Sequence, residues 1–595
     1  MSIGTRIKYS HLFDGSRPQL GELLQQYSSL SVIASLAMIT DKLIVKGTTT
    51  RTQIELLAEI STDYEPAFRE KILRRAHPYL MQGYIIFSLP VAVELINREL
   101  SNFRQFDQEP ELPEYEGPDL LKALVAVSEE MTENDAMQFK GAIEAAKLGD
   151  EHLIKLVWPH IIKQYEFAIE PDGIFECYKG MAFVSYLERH PLFGDVAKAY
   201  FRRMGCSCGQ DYLHRIISVV TEYMKRDQND KDDNYFFQIK LSTFEPVLEA
   251  LVIDPEMLRN NPKLQLDYRG LKERPILKIG LNHYMVPYWH YLLNAFFTGL
   301  TFSFYKESGV AELYSTGISP EPTLENPGLP KFKSAVGKEF SEGILFKNTM
   351  QRCFGRRYDT LVFFQDNERF NPDAYYRCGN NIFIIEFKDY LLNAEVIQSN
   401  SYEQIKAEID KKFVSQTFEN KGKLKVKEKG VGQLARNIEL LITDTDLFYK
   451  VDPKAENKNL DLKKMNIYPL IVQTNIYFDI PGINDYLSEI ISEKLAHLTG
   501  SVKCMKPFTM LNFQSFFDRL LLFADGKLQL HQELDHYHKK IEGLKRKASK
   551  TFSEKDWFNS LHPFPFFNSP EFKAKFDYRR DHLLDEIQKC WLIDN

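Results

Sequence analysis

Three residues near the middle of the chain have the types and spacing for chemistry on a phosphodiester: Asp373, Glu386 and Lys388. Hard divalent cations such as Mg²⁺ take oxygen ligands, and one or two carboxylates, with water and phosphate oxygens, commonly hold them. Such a cation lowers the pKa of a bound water and neutralises charge on a phosphate, and a nearby ammonium stabilises the same charge. Two carboxylates and a lysine are therefore the equipment for metal-dependent phosphodiester cleavage, if the fold brings them together.

A β-hairpin is predicted to bring the two acids together. Residues 382–385 form a short apolar, β-branched run typical of a buried strand, and the preceding Gly-Asn-Asn at 379–381 tolerates positive φ. Residues 374–376 then form the partner strand. Because the start of one antiparallel strand lies beside the end of the next, the two acids should meet. Side-chain alternation also places the lysine on the same face as the second acid.

The pattern Pro372-Asp373 followed by Glu386-Phe387-Lys388 resembles the PD-(D/E)xK nucleases of the restriction-endonuclease-like fold. The resemblance implies that Asp373 and Glu386 bind Mg²⁺ or Mn²⁺, with the carbonyl of Phe387 as a further ligand. It also implies that Lys388 lies near the attacking water. The core that carries this site in the family has the element order α-β-β-β-α-β.

The residues upstream of the hairpin match the beginning of that core. Residues 332–354 have apolar side chains at helical spacing, and 359–364 have the composition of a strand. Members of the family often carry another metal-site acid on the first helix. Glu339 and Glu342 are three residues apart and share a helical face, so either could be that acid, and Glu342 is favoured.

The residues downstream match its end. Residues 430–442 predict a helix, and the resemblance carries Gln433 over as a site residue that faces the acids. Asn437 stands where the family often has a tyrosine, so no role is carried over to Asn437. Residues 467–474 predict the closing strand, in which Pro469 favours a sheet edge or a strand start because proline cannot donate to a central ladder.

Positive charge is concentrated in the second half of the chain. Residues 331–595 hold 41 Lys and Arg against 37 Asp and Glu, a net charge of +4, whereas the first 330 residues carry −11. Local positive charge near the acids would hold a polyanion. The lysine-rich stretch at 421–429 is interpreted as a mobile basic loop that follows a helix at 402–413. The candidate nucleic-acid-binding residues are Arg356, Arg357, Lys421, Lys423, Lys425, Lys427 and Arg436.

The predicted fold class is α+β with several domains, because 595 residues exceed what one hydrophobic core usually serves. The N-terminal part is predicted to be largely helical, and the core after it to be an α/β restriction-endonuclease-like domain with a mixed central sheet. The predicted regions are a helical sensor or regulatory region at 1–235, an aromatic-rich helical and connecting region at 236–330, the PD-(D/E)xK nuclease domain at 331–525 and a helical extension at 526–595.

Composition limits the class of protein. A hydrophobic fraction of 44% and an aromatic fraction of 13% are those of a folded chain. Seven scattered cysteines and the lack of an apolar segment after Met1 predict a cytoplasmic location. No uncharged apolar run reaches the ~18 residues of a membrane span, so no membrane association is predicted.

The functional expectation is a Mg²⁺-dependent nuclease with DNA favoured over RNA as its substrate. Nucleases of this family that carry a large accessory region often act in prokaryotic defence against phage or plasmids. The first 330 residues would then receive a protein partner or an activator. Two other classes stay open: a non-catalytic nucleic-acid-binding scaffold, and a helical protein-interaction subunit of a defence complex. Strandedness, endo- or exo-cleavage and homo-oligomerisation also stay open.

Overall fold

The described part of the chain divides into two compact units. The first unit comprises Met1–Ala145 and Glu166–Phe332, and the second comprises Ala146–Tyr165 and Lys333–Asn595. The computed structural model describes all residues except 1–5, 105–116, 147–154, 156–157, 160, 164–166, 168–171, 226–244, 281–282, 316–327, 357, 366–368, 400, 421–422, 552–553, 565–566 and 575–595.

The first unit is almost entirely helical in its described residues, as the sequence predicts. Several helices begin at side-chain caps: Ser28 and Thr49 each accept a hydrogen bond from a backbone N–H of the first turn. A short antiparallel hairpin, β1 (Leu277–Gly280) and β2 (His283–Met285), is paired within this unit. The α-helices span Tyr9–Leu12, Leu20–Leu24, Ser29–Lys46, Thr50–Ile60, Pro66–Met81, Leu89–Ser101, Gly117–Ala146, Gly173–Arg189, Gly194–Arg203, Gly209–Lys225, Glu245–Ala250, Pro255–Asn260, Arg269–Glu273, Trp289–Leu292, Thr298–Glu307 and Val310–Ser315.

The second unit is built on a mixed sheet. In spatial order its strands are β10, β8, β5, β4 and β3, and the short β9 pairs with β8 beside β10. β4 runs antiparallel to its two neighbours β3 and β5, whereas β8 runs parallel to β5 and to β10. A helical first unit and a mixed sheet in the second confirm the predicted α+β class. The sheet strands are β3 (Thr360–Val362), β4 (Ala374–Cys378), β5 (Asn381–Lys388), β8 (Asn466–Gln473), β9 (Cys504–Met505) and β10 (Thr509–Asn512).

Helices cover this sheet and include an unusual π-helical segment. The longest are α1, made of Leu329–Val336, the π-helix Gly337–Phe346 and Lys347–Phe354, then α2 (Tyr402–Phe413), α3 (Gly430–Thr443), α4 (Ile483–Leu495), α5 (Phe513–Ala524) and α6 (Leu530–Thr551). Shorter α-helices span Ala394–Gln398, Thr445–Val451, Pro453–Asn457, Glu554–Ser560 and Pro570–Ala574, and 3₁₀ turns span Leu462–Lys464, Ile476–Phe478 and Ala496–Leu498.

Helix α3 shows why the sequence pattern was informative here. Its residues Val431, Leu434, Ile438 and Leu441 are all buried, and their spacing forms one apolar stripe along the helix. That stripe packs on β5 and β8. Residues 430–442 were predicted as a helix, and the structure confirms a helix that ends one residue later.

The position of β8 differs from the prediction. Pro469 favoured an edge strand, but β8 lies between β5 and β10 in the middle of the sheet. The reason is a break on its other side: β9 pairs with Asn466 and Ile467, and β10 pairs only from Leu470 onward. No ladder partner therefore faces Pro469 on that side, and a residue without an N–H fits there.

The basic segment after α2 also differs from the prediction. Two antiparallel strands, β6 (Ser415–Asn420) and β7 (Lys423–Glu428), form a two-stranded ribbon there instead of a mobile loop. Alternating charged and β-branched or apolar residues suit a strand exposed on both faces, but a run of lysines has the composition of a loop. We refer to β6 and β7 together as the ribbon.

One side chain from the N-terminal half lies in the core of the second unit. Trp158 is fully buried, and its indole N–H donates to the carbonyl of Pro481 at 2.8 Å. Its ring packs against Tyr402 and Tyr486, with centroids 5.4 and 5.7 Å away. This contact explains why residues 146–165 belong with the sheet although they precede it by almost two hundred positions.

The residues after the sheet pack back onto the second unit. The buried guanidinium of Arg519 donates to Glu533 at 3.1 Å and to the carbonyl of Phe567 at 2.8 Å. Phe564 and Phe572 lie under the same guanidinium and are buried. These contacts anchor Glu533 and Phe567 to α5.

None of the described helices is long and apolar enough to cross a membrane.

Candidate active site

The hairpin β4–β5 places two acids at the same end of the sheet. Gly379, with φ of +59°, and Asn380 form the two-residue turn, so Cys378 pairs with Asn381 and Ala374 pairs with Ile385. Asp373 comes directly before Ala374, and Glu386 comes directly after Ile385. An Oδ2 atom of Asp373 accepts the backbone N–H of Phe387 at 2.6 Å, which ties the start of β4 to the end of β5.

Lys388 joins the two acids. Its ammonium lies 2.8 Å from Oε2 of Glu386 and 3.5 Å from Oδ2 of Asp373. Glu386 is 1% exposed and Lys388 is 8% exposed, so this is a buried cluster rather than a surface ion pair. The structure therefore brings together the three residues on which the sequence analysis centred.

The charges of the cluster are strongly coupled. Burial raises the pKa of Glu386, the ammonium of Lys388 opposes that shift, and the carboxylates of Asp373 and Glu342 add to it. Burial would lower the pKa of Lys388, but the carboxylates of Glu386 and Asp373 outweigh burial and raise it well above its usual range. The lysine therefore keeps its proton, and burial is the main reason that the pKa of Glu386 is raised.

Helix α3 supplies a further polar contact that the site prediction did not include. The amide of Asn437 donates to Oε1 of Glu386 at 3.2 Å, and its carbonyl oxygen accepts the backbone N–H of Asn371 at 3.2 Å. Asn437 is buried. It thus links the second acid to the loop that precedes the first. Its one sequence signal was its place one helical turn after Gln433 on a face directed at the sheet.

Gln433 makes a different contact from the one predicted. Its side-chain oxygen accepts the backbone N–H of Gly430 at 3.0 Å, which satisfies an unpaired donor in the first turn of α3. The structure gives it no hydrogen bond to Asp373, Glu386 or Lys388. Its catalytic role stays a prediction.

The first-helix acids lie on the π-helical segment of α1. The backbone N–H of Lys347 bonds to the carbonyl of Glu342, five residues back, which is the π-helical pattern. Such wide turns are rare and are often found at functional sites. The carboxylate of Glu342 is close enough to Glu386 to raise the pKa of Glu386. Glu339 is exposed and has no such effect on Glu386. The geometry therefore favours Glu342 over Glu339.

Asp389 fastens α1 to this end of the sheet. Its carboxylate accepts the hydroxyl of Ser341 at 2.5 Å and the hydroxyl of Thr474 at 2.6 Å. Ser341 is the residue before Glu342, so the contact fixes the π-helical segment beside β5 and β8. Phe346 stacks on the ring of Phe387 at 4.7 Å and completes the packing.

The predicted nucleic-acid-binding residues are not all near the acids. Arg356 lines a pocket with Cys378 and Tyr376, beside the hairpin turn, at the opposite end of β4 from Asp373. Five strand residues, about 17 Å, separate the two ends. Arg436 donates to Asn371 at 2.7 Å and so holds the loop before Asp373.

The lysines of the ribbon are described in part. Lys425 and Lys427 lie on β7 and are exposed. The backbone of Lys423 begins the same strand, whereas Lys421 and Arg357 lie outside the described residues. Binding of nucleic acid by these side chains stays a prediction.

The donor set fits Mg²⁺ or Mn²⁺. Asp373 and Glu386 both present oxygen ligands beside the ammonium of Lys388, and carboxylate oxygens are the ligands that such hard cations take. Within the described residues, no three His, Cys, Asp or Glu side chains lie close enough to hold one ion. The two carboxylates, the predicted carbonyl of Phe387, water and substrate oxygens would together hold the cation.

A second buried acid, Asp479, lies at the same end of the sheet as Glu386. Asp479 accepts the amides of Gln473 and Asn512, each at 2.8 Å, while Oε1 of Gln473 is buried without a hydrogen-bond partner. Rotating the Gln473 amide by 180° would place its oxygen beside Asp479, and a protonated Asp479 would then donate to that oxygen. Burial raises the pKa of Asp479 to about 8, against the two amide hydrogen bonds.

We expect this acid to make the second unit less stable as the pH rises. The carboxyl of Asp479 has a pKa of about 8 in the folded chain and an ordinary, lower pKa in the unfolded chain. Between those two values the folded chain binds more protons than the unfolded chain, so the free energy of unfolding falls with rising pH until the pH passes about 8. Between pH 6 and pH 8 the parent should lose about 2 kcal/mol more unfolding free energy than Asp479→Asn. Urea unfolding at both pH values measures this, and equal pH slopes for the two proteins would contradict it.

No family model, curated protein or solved structure matches this chain.

Proposed function

We propose that the second unit is a metal-dependent nuclease of the PD-(D/E)xK type, which hydrolyses phosphodiester bonds in nucleic acid, with DNA favoured. The observation that carries the proposal is the convergence of Asp373, Glu386 and Lys388, with the lysine 2.8 and 3.5 Å from the two carboxylates. Burying the charged groups of Glu386 and Lys388 costs free energy that a hydrophobic cluster of the same size would not. A catalytic role accounts for that cost.

The order of elements supports the same proposal. Along the chain, helix α1 and strands β3, β4 and β5 are followed, after an insertion that contains α2 and the ribbon, by helix α3 and, after two short helices, by the parallel strand β8. This is the α-β-β-β-α-β order of the restriction-endonuclease-like core. The acids stand at the ends of the second and third of those strands, as in the PD-(D/E)xK pattern.

Each residue of the cluster has a task in this proposal. Asp373, Glu386 and the carbonyl of Phe387 would hold Mg²⁺ or Mn²⁺, which when bound supplies a water of lowered pKa and neutralises phosphate charge. Lys388 keeps its proton and places a positive charge where the phosphate gains negative charge. Asn437 holds the carboxylate of Glu386 in orientation.

The proposal is tested with the purified full-length protein, Mg²⁺ or Mn²⁺, and single- and double-stranded DNA and RNA. Cleavage that disappears with a chelator supports the proposal and identifies the substrate. Absence of cleavage together with absence of metal binding by calorimetry would refute it and favour a nucleic-acid-binding scaffold. Metal binding without cleavage would indicate that an activator is needed, and the first unit is the place to look for its binding site.

We expect Asn437→Ala to impair cleavage more than Gln433→Ala does. Asn437 donates to Glu386, and loss of a residue that orients a metal ligand typically costs about 10–100-fold in metal affinity or activity. Gln433 contacts the backbone of its own helix, so its loss should cost mainly stability. Metal affinity and kcat/KM of both variants measure the difference, and the reverse ranking would restore the role that the sequence predicted for Gln433.

A further inference from the structure

The ribbon is joined rigidly to the end of the sheet that carries Asp373 and Glu386. The N–H of Lys429 bonds to the carbonyl of Val414 at 2.9 Å and closes its base. At the next residue, Gly430, φ is +37°, and a Cβ would lie 2.6 Å from the carbonyl oxygen of Phe413, so only glycine fits. The same Cβ would lie 3.1 Å from Ile471, which is the residue that pairs with Glu386. The base of the ribbon is therefore level with the second acid.

The two faces of the ribbon differ in chemistry. Phe418 pairs with Lys425 and Gln416 pairs with Lys427, so these four side chains share one face. Glu428 lies on the other face, where its carboxylate forms an ion pair with Lys494 of α4 at 3.1 Å. That ion pair fixes which face turns toward α4 and leaves the lysine face available.

The lysine face has no anionic partner among the described residues. Lys425 and Lys427 are exposed and Lys429 is half-buried, and none of the three forms an ion pair there. By contrast, Lys406 and Lys412 of the neighbouring α2 are each paired with a carboxylate. Three like charges at alternate positions of a strand repel one another, and a polyanion relieves that repulsion.

The lysine row continues into the acid cluster. Burial lowers the pKa of Lys429, and the positive charges of Lys427 and Lys388 lower it further, so both of these ammonium groups lie within electrostatic reach of Lys429. Lys388 in turn contacts Glu386. Positive charge therefore leads from Lys427 through Lys429 and Lys388 to the acids.

We propose that Lys425, Lys427 and Lys429 form a phosphate track that holds one strand of nucleic acid and leads it to the acids, with Phe418 stacked on an unpaired base. The proposal rests on the nuclease function and specifies its substrate as single-stranded. Same-face residues of a strand are about 6.7 Å apart, so successive lysines can contact different phosphates of one strand.

The aromatic residue on the lysine face decides for a single strand. Phe418 is 38% exposed and stands opposite Lys425 on the same face. Bases inside a duplex are stacked on their neighbours, so a phenyl ring stacks most readily on an unpaired base, and grooves for single strands combine such rings with lysines along the backbone. A duplex would leave Phe418 without a partner.

The test measures binding of the full-length protein to labelled oligonucleotides without divalent metal, so that cleavage does not interfere. The strand should exceed the ~4–16 nucleotides that one such surface covers. The triple variant Lys425→Gln, Lys427→Gln, Lys429→Gln should weaken single-strand binding at least tenfold. Its slope of log affinity against log salt should be shallower by about 2, because three phosphate contacts contribute about 0.7 each.

The matched control removes the same charge elsewhere. Lys458, Lys463 and Lys464 are exposed and precede β8, whose first residue is level with Asn381 at the far end of β5. Their triple glutamine variant should keep the parent salt slope. Phe418→Ala should weaken binding to the single strand about tenfold and leave binding to a closed circular duplex unchanged, because that duplex offers neither an unpaired base nor a helix end for stacking.

Three outcomes would overturn the track: equal losses in the two triple variants, an unchanged salt slope in the ribbon variant, or tighter binding of the parent to duplex than to single strand. Failure of the nuclease function is a separate result. A parent that binds single strands through the ribbon but never cleaves in Mg²⁺ or Mn²⁺ would refute the function and keep the track. A parent that cleaves while the ribbon variant binds and cleaves as well as it does would refute the track alone.

Discussion

Replacing Asp373 with asparagine should reduce cleavage on the order of 10²–10³-fold while the protein stays folded. The amide oxygen of asparagine can still accept the N–H of Phe387, so the link between β4 and β5 is retained. The neutral side chain can no longer hold a divalent cation with Glu386 or balance the charge of Lys388. Turnover of labelled nucleic acid, metal titration by calorimetry and thermal unfolding together measure this result.

The control for this variant is an exposed carboxylate on the same unit. Asp446 lies on the helix Thr445–Val451 and is exposed, so Asp446→Asn makes the same chemical change outside the acid cluster. It should leave metal affinity and cleavage at parent values. If Asp373→Asn cleaves nucleic acid as fast as the parent does, the acid pair is not the catalytic centre.

Replacing Asp452 with asparagine should destabilise the second unit by about 3–5 kcal/mol. Asp452 and Arg377 form an ion pair that is almost fully buried inside the sheet, and Tyr375 and Thr360 donate to the same carboxylate at 3.1 and 2.9 Å. Burial would raise the pKa of Asp452, but Arg377 outweighs burial and lowers it. Asparagine keeps the shape but leaves the guanidinium buried without a counter-charge.

Urea unfolding followed by hydrogen exchange of β3, β4 and β5 measures this change, because a chain of two units need not unfold in one transition. The comparison pair is Lys545 and Asp485, 2.6 Å apart and roughly two-fifths exposed. Asp485→Asn should cost less than about 1 kcal/mol, since water screens an exposed pair. Equal costs at the two sites would mean that Arg377 finds another partner or water when Asp452 is lost.

The hairpin and its acids were predictable because their geometry is local. A Gly-Asn turn sets the register of the two strands that flank it, and a strand alternates its side chains, so the order of a few residues decides which acids meet. The stripe of α3 was predictable for the same reason, since a helical period reports a buried face directly.

The errors arise where partners are distant in sequence. Pro469 was interpreted from its own missing donor, but its tolerance depends on where β9 stops and β10 starts. The ribbon was interpreted from its lysines, although strand pairing across the turn overrides composition. Arg356 follows α1 in sequence, yet the length of the strands places it at the other end of the sheet from Asp373.

The sequence by itself determined the α+β class, the hairpin and the meeting of Asp373, Glu386 and Lys388, because local turn chemistry and periodicity specify all three. Only the tertiary structure decided that Asn437 holds Glu386, that Trp158 belongs to the second unit and that the ribbon begins level with the acids. Those contacts join residues dozens to hundreds of positions apart. Packing of whole elements selects them, and no period or spacing along the chain encodes which elements will pack.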